Sequence, residues 1–367
     1  MQMTVRADYF RRGDEPEILT LSGLEYGVNV PDTNIENFHW RYRDNPCGEA
    51  AISVVREDSS QNVVGFVWLI PLHMQMFGQK KLGAHMTNLL IKPEFRNGLA
   101  YAKLIRHRER AIAERNISLH YSFPVESHFE RVNGKSGTSH YKVPLLVRPL
   151  NMSLLAKAAL PQSLSQFLVG TCGTVAAPLV FLDRTKASRK QPIQVEWLDQ
   201  FDDRFDGFWE RVKDKYDIMA VRNRHFLAWR FAPVLNRSYR ILAATSGEEL
   251  VGYCVLRCTD DIRGIHTGLI MDMLFESGPR GITGGILLLK QAWQYFKEEN
   301  VCLAGGLALS HTDEYAIMKR AGYLPCPDRV APKIFRVLYK TCNDSIPDTQ
   351  SIQADHWFIT NADYFEH

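Results

Sequence analysis

The sequence has no C-x-x-C pair, almost no net charge and no N-terminal apolar targeting segment, and each absence removes a class of protein. Its seven cysteines, at positions 47, 172, 254, 258, 302, 326 and 342, are odd in number, and only Cys254 and Cys258 lie close together. A disulfide framework is therefore not expected, whereas reduced thiols in a cytoplasmic protein are. The 44 Lys and Arg against 41 Asp and Glu leave a formal charge of +3, too near neutral for a chain whose main partner is nucleic acid. Charged residues, Arg6 and Asp8, appear before any leader-like run could form, which again points to the cytoplasm. The apolar run 167–182 is interrupted by Gly170, Gly173 and Pro178 and falls short of the roughly 20 residues a spanning helix needs. Stable membrane insertion is not expected. Two readings of the run stay open: a buried connector, and peripheral membrane contact through 167–190 aided by Arg184, Lys186, Arg189 and Lys190.

What is present is a soluble globular composition, with 45% apolar and 23% charged residues over 367 positions, long enough for two domains. The two halves repeat landmarks in order. Phe38-His39-Trp40-Arg41-Tyr42 answers Phe226-Leu227-Ala228-Trp229-Arg230-Phe231, and Val63-Val64-Gly65-Phe66-Val67 answers Leu250-Val251-Gly252-Tyr253-Cys254. The stretch 86–112 answers 269–295, and Ser118–Phe123 answers Val301–Leu307. A steady offset of about 183–189 residues argues for duplication. Each half reads as mixed α/β, with strands around Val63–Ile70 and Arg240–Arg257 and amphipathic helices over Ala100–Arg115, Phe205–Lys215, Gly285–Glu299 and Thr312–Ala321. The expected division is a first domain over 1–150, a connector over 151–192 and a second domain over 193–367.

The most informative segment is Met86–Ile105, an apolar strand followed by the turn Lys92-Pro93-Glu94-Phe95-Arg96-Asn97-Gly98 and a helix opening at Leu99-Ala100-Tyr101. Such an order puts backbone N–H groups at a helix N-terminus, where phosphates bind. Arg96-Asn97-Gly98-Leu99-Ala100 resembles the cofactor turn of the GNAT acyl-coenzyme A N-acyltransferases, one residue shorter than the usual Gln/Arg-x-x-Gly-x-Gly/Ala. The Val5-Arg6 strand with Gly13-Asp14-Glu15, the Trp-Arg-aromatic element in both halves, and Glu314–Tyr323 with its Lys-x-x-Gly-aromatic end are similar to elements of tandem GNAT proteins. The resemblance implies two tandem GNAT-like α/β domains with mixed sheets and an acyltransferase moving an acetyl or other acyl group from acyl-CoA to a primary amine of a small molecule, such as an amino sugar. Leu90 and Ile91 would meet the pantetheine and thioester, and Arg96, Asn97, Gly98, Leu99, Ala100 and Tyr101 the diphosphate. On the residues alone, the same turn also reads as a plain strand-to-helix hinge at Gly98.

The second half carries Gly278-Pro279-Arg280-Gly281-Ile282-Thr283-Gly284-Gly285, with its closing Gly pair displaced, a proline that removes an N–H, and Asp272 and Glu276 nearby. It is expected to be a degenerate copy. Amine attack on a thioester needs a base, and the candidates are Glu126 and His128, just beyond the strand ending at Phe123, with Glu130 where the family often has a tyrosine acid; Met318 holds that place in the second half. Glu126 also reads as a helix-start carboxylate and His128 as a loop histidine. His85 and Asn88 either orient the acceptor or decorate a half-buried strand. The tail Asp355–Asp363 reads as a closing strand, and its His356 and Asp363 are too far apart for a metal site. No metal is expected. Two other functions fit the residues: a tandem GNAT protein that binds without turnover, and a peptidoglycan-type aminoacyl transferase using charged tRNA.

Overall fold

The computed structural model describes residues 4–27, 30–96, 98–132, 137–151, 192–234, 237–260, 262 and 264–365. The connector read from the sequence, and with it the 167–190 run, lies outside them apart from residues 151 and 192.

In chain order the first half supplies β1 (Val5–Tyr9), α1 (Glu15–Tyr26), α2 (Ile35–Tyr42), β2 (Ala51–Glu57), β3 (Val63–Met76), β4 (Gln79–Ile91) and α3 (Leu99–Glu114). It continues with β5 (Leu119–Ser122), α4 (Glu126–Val132), β6 (Ser139–Lys142) and β7 (Leu145–Pro149). The second half supplies β8 (Ile193–Leu198), α5 (Arg204–Val212), β9 (Ile218–Ala220), α6 (Arg224–Arg230), β10 (Arg240–Ser246), β11 (Glu249–Thr259) and β12 (Thr267–Phe275). It closes with α7 (Gly278–Glu298), β13 (Leu303–Leu307), α8 (Asp313–Arg320), β14 (Leu324–Pro325) and β15 (Arg336–Thr341). The expected mixed α/β class is what the chain adopts.

These strands form two mixed sheets, ordered β1-β2-β3-β4-β5-β15-β6, with β9 beside β3, and β14-β7-β13-β12-β11-β10-β8. β3 carries no Asp, Glu, Lys or Arg over its length and is buried on nearly every residue, as a strand covered on both faces must be. One face of the first sheet packs on α3, whose Ala100, Leu104, His107, Ala111 and Ile112 recur at helical spacing and are buried. The other face joins a core shared by both halves, containing Trp40, Phe66, Tyr121, Trp229, Tyr253 and Trp357.

The sheets do not divide where the sequence suggested. β7 pairs antiparallel with β13 and β14 of the second sheet, while β15 pairs with β5 and β6 of the first. A boundary at 150 therefore separates strands from their own sheets, and the halves are joined by an exchange of edge elements. The duplicated Trp-Arg element explains itself at their junction. Asn34 caps α2 and Asn223 caps α6, each through its side-chain oxygen, and the helices meet through Trp40 and Trp229. The two rings stack 5.3 Å apart, and each indole N–H donates to the other residue's carbonyl, at 2.7 and 3.0 Å.

Two expected elements differ. α7 begins at Gly278 rather than Gly285, so its glycines are helical contact points. A Cβ on Gly281 would lie 1.8 Å from the Glu276 carbonyl oxygen, and one on Gly285 would lie 2.8 Å from the Phe275 ring. The tail is also not a strand. It runs through two short 3-10 turns, Ala354–His356 and Asn361–Asp363, because guanidinium groups take its carbonyls. Arg230 donates to the oxygens of Asn361, Ala362 and Tyr364, and Arg41 donates to that of Phe365.

Candidate functional site

β4 and β5 run parallel and are paired only over Gly83–His85 and Leu119–Tyr121. β15, bonded to the far edge of β5, holds it there while β4 continues through Met86–Ile91. The strands part, and the gap is a cleft of about 530 Å³. Met86–Ile91 form one wall and Ser122–Val125 the other. Glu25 and Tyr26 at the end of α1, Arg96, Gly98 and Tyr101 at the turn, and Ser127, His128, Arg131 and Val132 of α4 complete it.

A bulge shapes the β4 wall. Phe66 faces Leu90 and Trp68 faces Thr87, which leaves Asn88 and Leu89 opposite Val67 alone. Asn88 takes a left-handed φ of 51°, a conformation asparagine tolerates better than most residues. Beyond the bulge the Lys92 N–H donates to the Val64 oxygen on β3. Alternation along a strand then turns the Ile91 N–H toward the opposite edge, into the gap that β5 has left.

At the mouth, Phe95 is buried and pins the turn. Gly98 precedes α3 with φ +80°, and a Cβ there would meet nothing within 4 Å. The first turn of α3 has no acidic side chain, so the positive end of the helix dipole is not offset locally. Arg96 lies across the opening, its Nε donating to the Ile91 oxygen at 2.8 Å and its Nη2 pairing with Glu25 at 2.9 Å. That ion pair is half exposed on both sides, and such pairs are worth about 0–1 kcal/mol, so an incoming anion can displace Glu25.

Of the residues singled out from the sequence, Leu90, Ile91, Arg96, Gly98, Tyr101, Asn88 and His128 line this one cleft. Leu99 and Ala100 are not in its lining: Leu99 is exposed and Ala100 is buried beneath α3. Asn97 lies outside the described residues, as does Gly134. Glu126 sits at the start of α4 paired with Arg336 at 3.1 Å, and Glu130 is exposed on the same helix; neither lines the cleft. His85 lies behind the inner end, fully buried. It packs against the rings of Tyr121, Phe123 and Phe365 at 5.1, 6.1 and 5.1 Å, with no partner for either ring nitrogen among the described residues. Burial, reinforced by the charges of Arg41, Arg230 and Lys333, holds its pKa well below the usual histidine value. His128 is also shifted down, by burial first and then by Arg131 and Arg108, so it is neutral at pH 7 and able to accept a proton.

Sequence reasoning missed Glu25 and Tyr26 at the end of α1 and Arg131 on α4, which reach the cleft from two helices, and Asp32 and Arg41 behind its wall. Arg41 was visible as a repeated landmark. Asp32 had no comparable signal.

The second half contains the same parting of strands, with a different outcome. β12 pairs with β13 only over Thr267–Ile270 and Leu303–Gly306. The tail enters beside the continuing β12, with the Asn361 side chain donating to the Ile270 oxygen at 2.9 Å and Thr360 donating to Asp272 at 2.7 Å. Lys215 donates to the Phe275 oxygen and to Glu314, both at 2.9 Å. Asp272 is buried against Arg222, and Glu276 is paired with Arg211 and Arg280. The carboxylates expected to repel a phosphate are thus neutralised by ion pairs, and the gap itself is occupied by the protein's own chain.

No protein-family profile and no curated protein matches the sequence. Solved structures do resemble the fold. A probable N-acyltransferase of unknown function from Enterococcus faecalis superposes with a TM-score of 0.61 at 10% identity, covering 92% of this chain and 73% of that one. A GCN5-related N-acetyltransferase from Anabaena variabilis gives 0.61 at 12% identity, over 93% of this chain and 73% of its own. Saccharomyces cerevisiae N-myristoyltransferase, solved with bound myristoyl-CoA, gives 0.58 at 12% identity, over 92% of this chain and 82% of its own. The chain therefore has the GNAT fold that these solved structures share, built here on two mixed sheets. Among the described residues, no helix is long and apolar enough to cross a membrane, and no group of three or more His, Cys, Asp or Glu side chains could hold a metal ion.

Proposed function

We propose that this protein is an acyl-CoA-dependent N-acyltransferase whose first half binds the donor and acylates a primary amine of a small molecule. The observation that carries the reading is the parting of β4 and β5, with a bulged wall inside and the electropositive start of α3 at the mouth. An acyl-CoA would lay its diphosphate at Gly98 and Arg96 and its pantetheine along the free edge of β4, pairing as an added strand would. Tyr26 and Tyr101 at the rim offer aromatic faces to the adenine. Phe123, backed by His85, Tyr121 and Phe365, closes the inner end, which favours acetyl or another short acyl group. The second half, its own gap filled, is a degenerate copy that completes the acceptor side.

In the reaction, the amine nitrogen attacks the thioester carbon, the N–C bond forms and the C–S bond breaks. The carbonyl oxygen gains charge beside the Ile91 N–H, where a fixed donor stabilises the transition state more than the ground state. His128 takes the proton that the amine loses and returns one to the departing thiolate, so no proton is gained or lost at the site.

Thermal shift with acetyl-CoA, followed by thiol release over a panel of small amines, tests the reading. Stabilisation with release on at least one amine supports it. No stabilisation by any acyl-CoA overturns it, and stabilisation without release on any amine makes the protein a binding module. For His128, kcat/KM should fall as pH drops through a midpoint below 6.5: the proton-accepting form is present above the lowered pKa and lost beneath it. His128→Gln should remove that acid limb, and an unchanged profile would take His128 out of the proton path.

A further inference from the structure

The Asn88 bulge is held from outside the strand, and by one carboxylate. Oδ1 of Asp32, in the short turn between α1 and α2, accepts from the Asn88 side-chain amide at 2.7 Å and from Arg41 at 2.7 Å. Thr87 Oγ1 donates to the other end of the same amide at 2.9 Å. Arg41 is buried and donates its second nitrogen to the Phe365 oxygen of the tail at 2.8 Å. The Asn88 side chain is therefore fixed at both ends, and the tail is tied to the same carboxylate.

We propose that Asp32 is a positioning residue for the donor thioester: through Asn88 it keeps the β4 bulge in its left-handed form, so that the Ile91 N–H beyond it faces the thioester carbonyl. The inference rests on the acyl-transfer reading. Its support comes from what each half places at the bulge. The second half has the corresponding step in register, with Val255 facing Asp272 and Leu256 facing Ile270. There the carboxylate stands on the strand itself, clamped by Arg222, Tyr253 and Thr360, and the tail lies beside it. In the first half the strand carries a neutral amide, and the carboxylate stands one hydrogen bond further back. A full negative charge on the bulge would oppose the charge that develops on the thioester oxygen. An amide does not, while still giving Asp32 something to hold.

Infrared spectra of acetyl-CoA labelled with 13C at its carbonyl read this directly and need no acceptor. In the wild-type complex the labelled stretch should shift to lower wavenumber than in free acetyl-CoA, because the Ile91 N–H donates to it. Asp32→Ala and Asp32→Asn should lose most of that shift while changing the Kd for free coenzyme A less than about twofold, since the diphosphate end is untouched. In an Asp32→Ala background, Asn88→Gly should restore part of the shift, because glycine takes positive φ without an anchor. With any amine that supports turnover, kcat should fall roughly tenfold to hundredfold in Asp32→Ala at a nearly constant KM for the donor. A full shift retained in both Asp32 variants, or a folded wild-type complex with no shift at all, overturns the proposal while leaving acyl-CoA binding intact. A wild-type protein that binds no acyl-CoA fails at the earlier step, the proposed function itself.

Discussion

Replacing Arg222 with methionine is expected to cost about 3–5 kcal/mol at neutral pH, a large fraction of the roughly 5–15 kcal/mol that holds a typical domain together. Arg222 is fully buried and bonds to Asp363 at 2.6 Å, to Asp272 at 3.2 Å and to the Ala220 oxygen at 3.0 Å. Burial opposes its charge, and the two carboxylates more than offset that penalty. Without the guanidinium, two carboxylates remain in a site closed to water. The loss should depend on pH, with a sign that follows from Asp363. Its pKa is already raised by burial, against the pull of Arg222. A carboxyl whose folded pKa lies above its unfolded value contributes stability that is full below about pH 4 and is lost as pH rises through the folded value. Removing Arg222 raises that folded value further, so the deficit should be largest at pH 7 and shrink toward pH 4. Urea midpoints at both pH values measure it. A triple variant that also carries Asp272→Asn and Asp363→Asn should regain much of the loss, since a neutral polar cluster leaves no uncompensated charge. An equal deficit at both pH values would mean that the triad is not what Arg222 serves.

Gly98→Glu should weaken acetyl-CoA binding on the order of a hundredfold. The added charge accounts for that loss, while backbone strain is a separate cost to folding, shared by the free and the bound protein. The residue sits at φ +80°, where any side chain adds about 1–2 kcal/mol of backbone strain. The new carboxylate would also face the diphosphate, and like charges about 4 Å apart repel by about 4 kcal/mol at an effective dielectric of about 20, less at an exposed site in salt. Gly98→Ala separates the two, keeping the strain and removing the charge, and should retain most of the affinity. Thr283→Glu, near the start of α7, is the matched control in the second half and should leave binding unchanged in calorimetry. If Gly98→Glu binds acetyl-CoA as the wild type does, the diphosphate does not rest on this turn.

The features legible in the sequence were those written locally. The duplication showed because Trp40-Arg41 and Trp229-Arg230 stand at matching places, and both pairs are needed to close the same junction. The start of α3 showed because Gly98 and the buried spacing that begins at Ala100 are punctuation and periodicity within one short stretch. Much of the cleft followed, since a strand and the helix after it bring Leu90, Ile91, Gly98 and Tyr101 to one side. The exchange of β7 and β15 was hidden because a strand of five or six residues carries no mark of its partner. The glycines of α7 misled because a glycine that admits a phosphate and one that admits a neighbouring strand look alike. The tail misled because what decides its shape is Arg230 and Arg222, more than 100 residues away in sequence. Asp32 stayed invisible for the same reason: its partner Asn88 is 56 positions away.

The crossing of β7 and β15 bears on how the chain is made. As translation proceeds, the first sheet is complete up to β5 long before Arg336–Thr341 leaves the ribosome, and until then the outer rim of β5 has nothing to zip against. A growing polypeptide with an unpaired strand is prone to stick to its neighbours. Its first half should therefore engage chaperones during synthesis and stay soluble alone only when a peptide spanning β15 is supplied in trans.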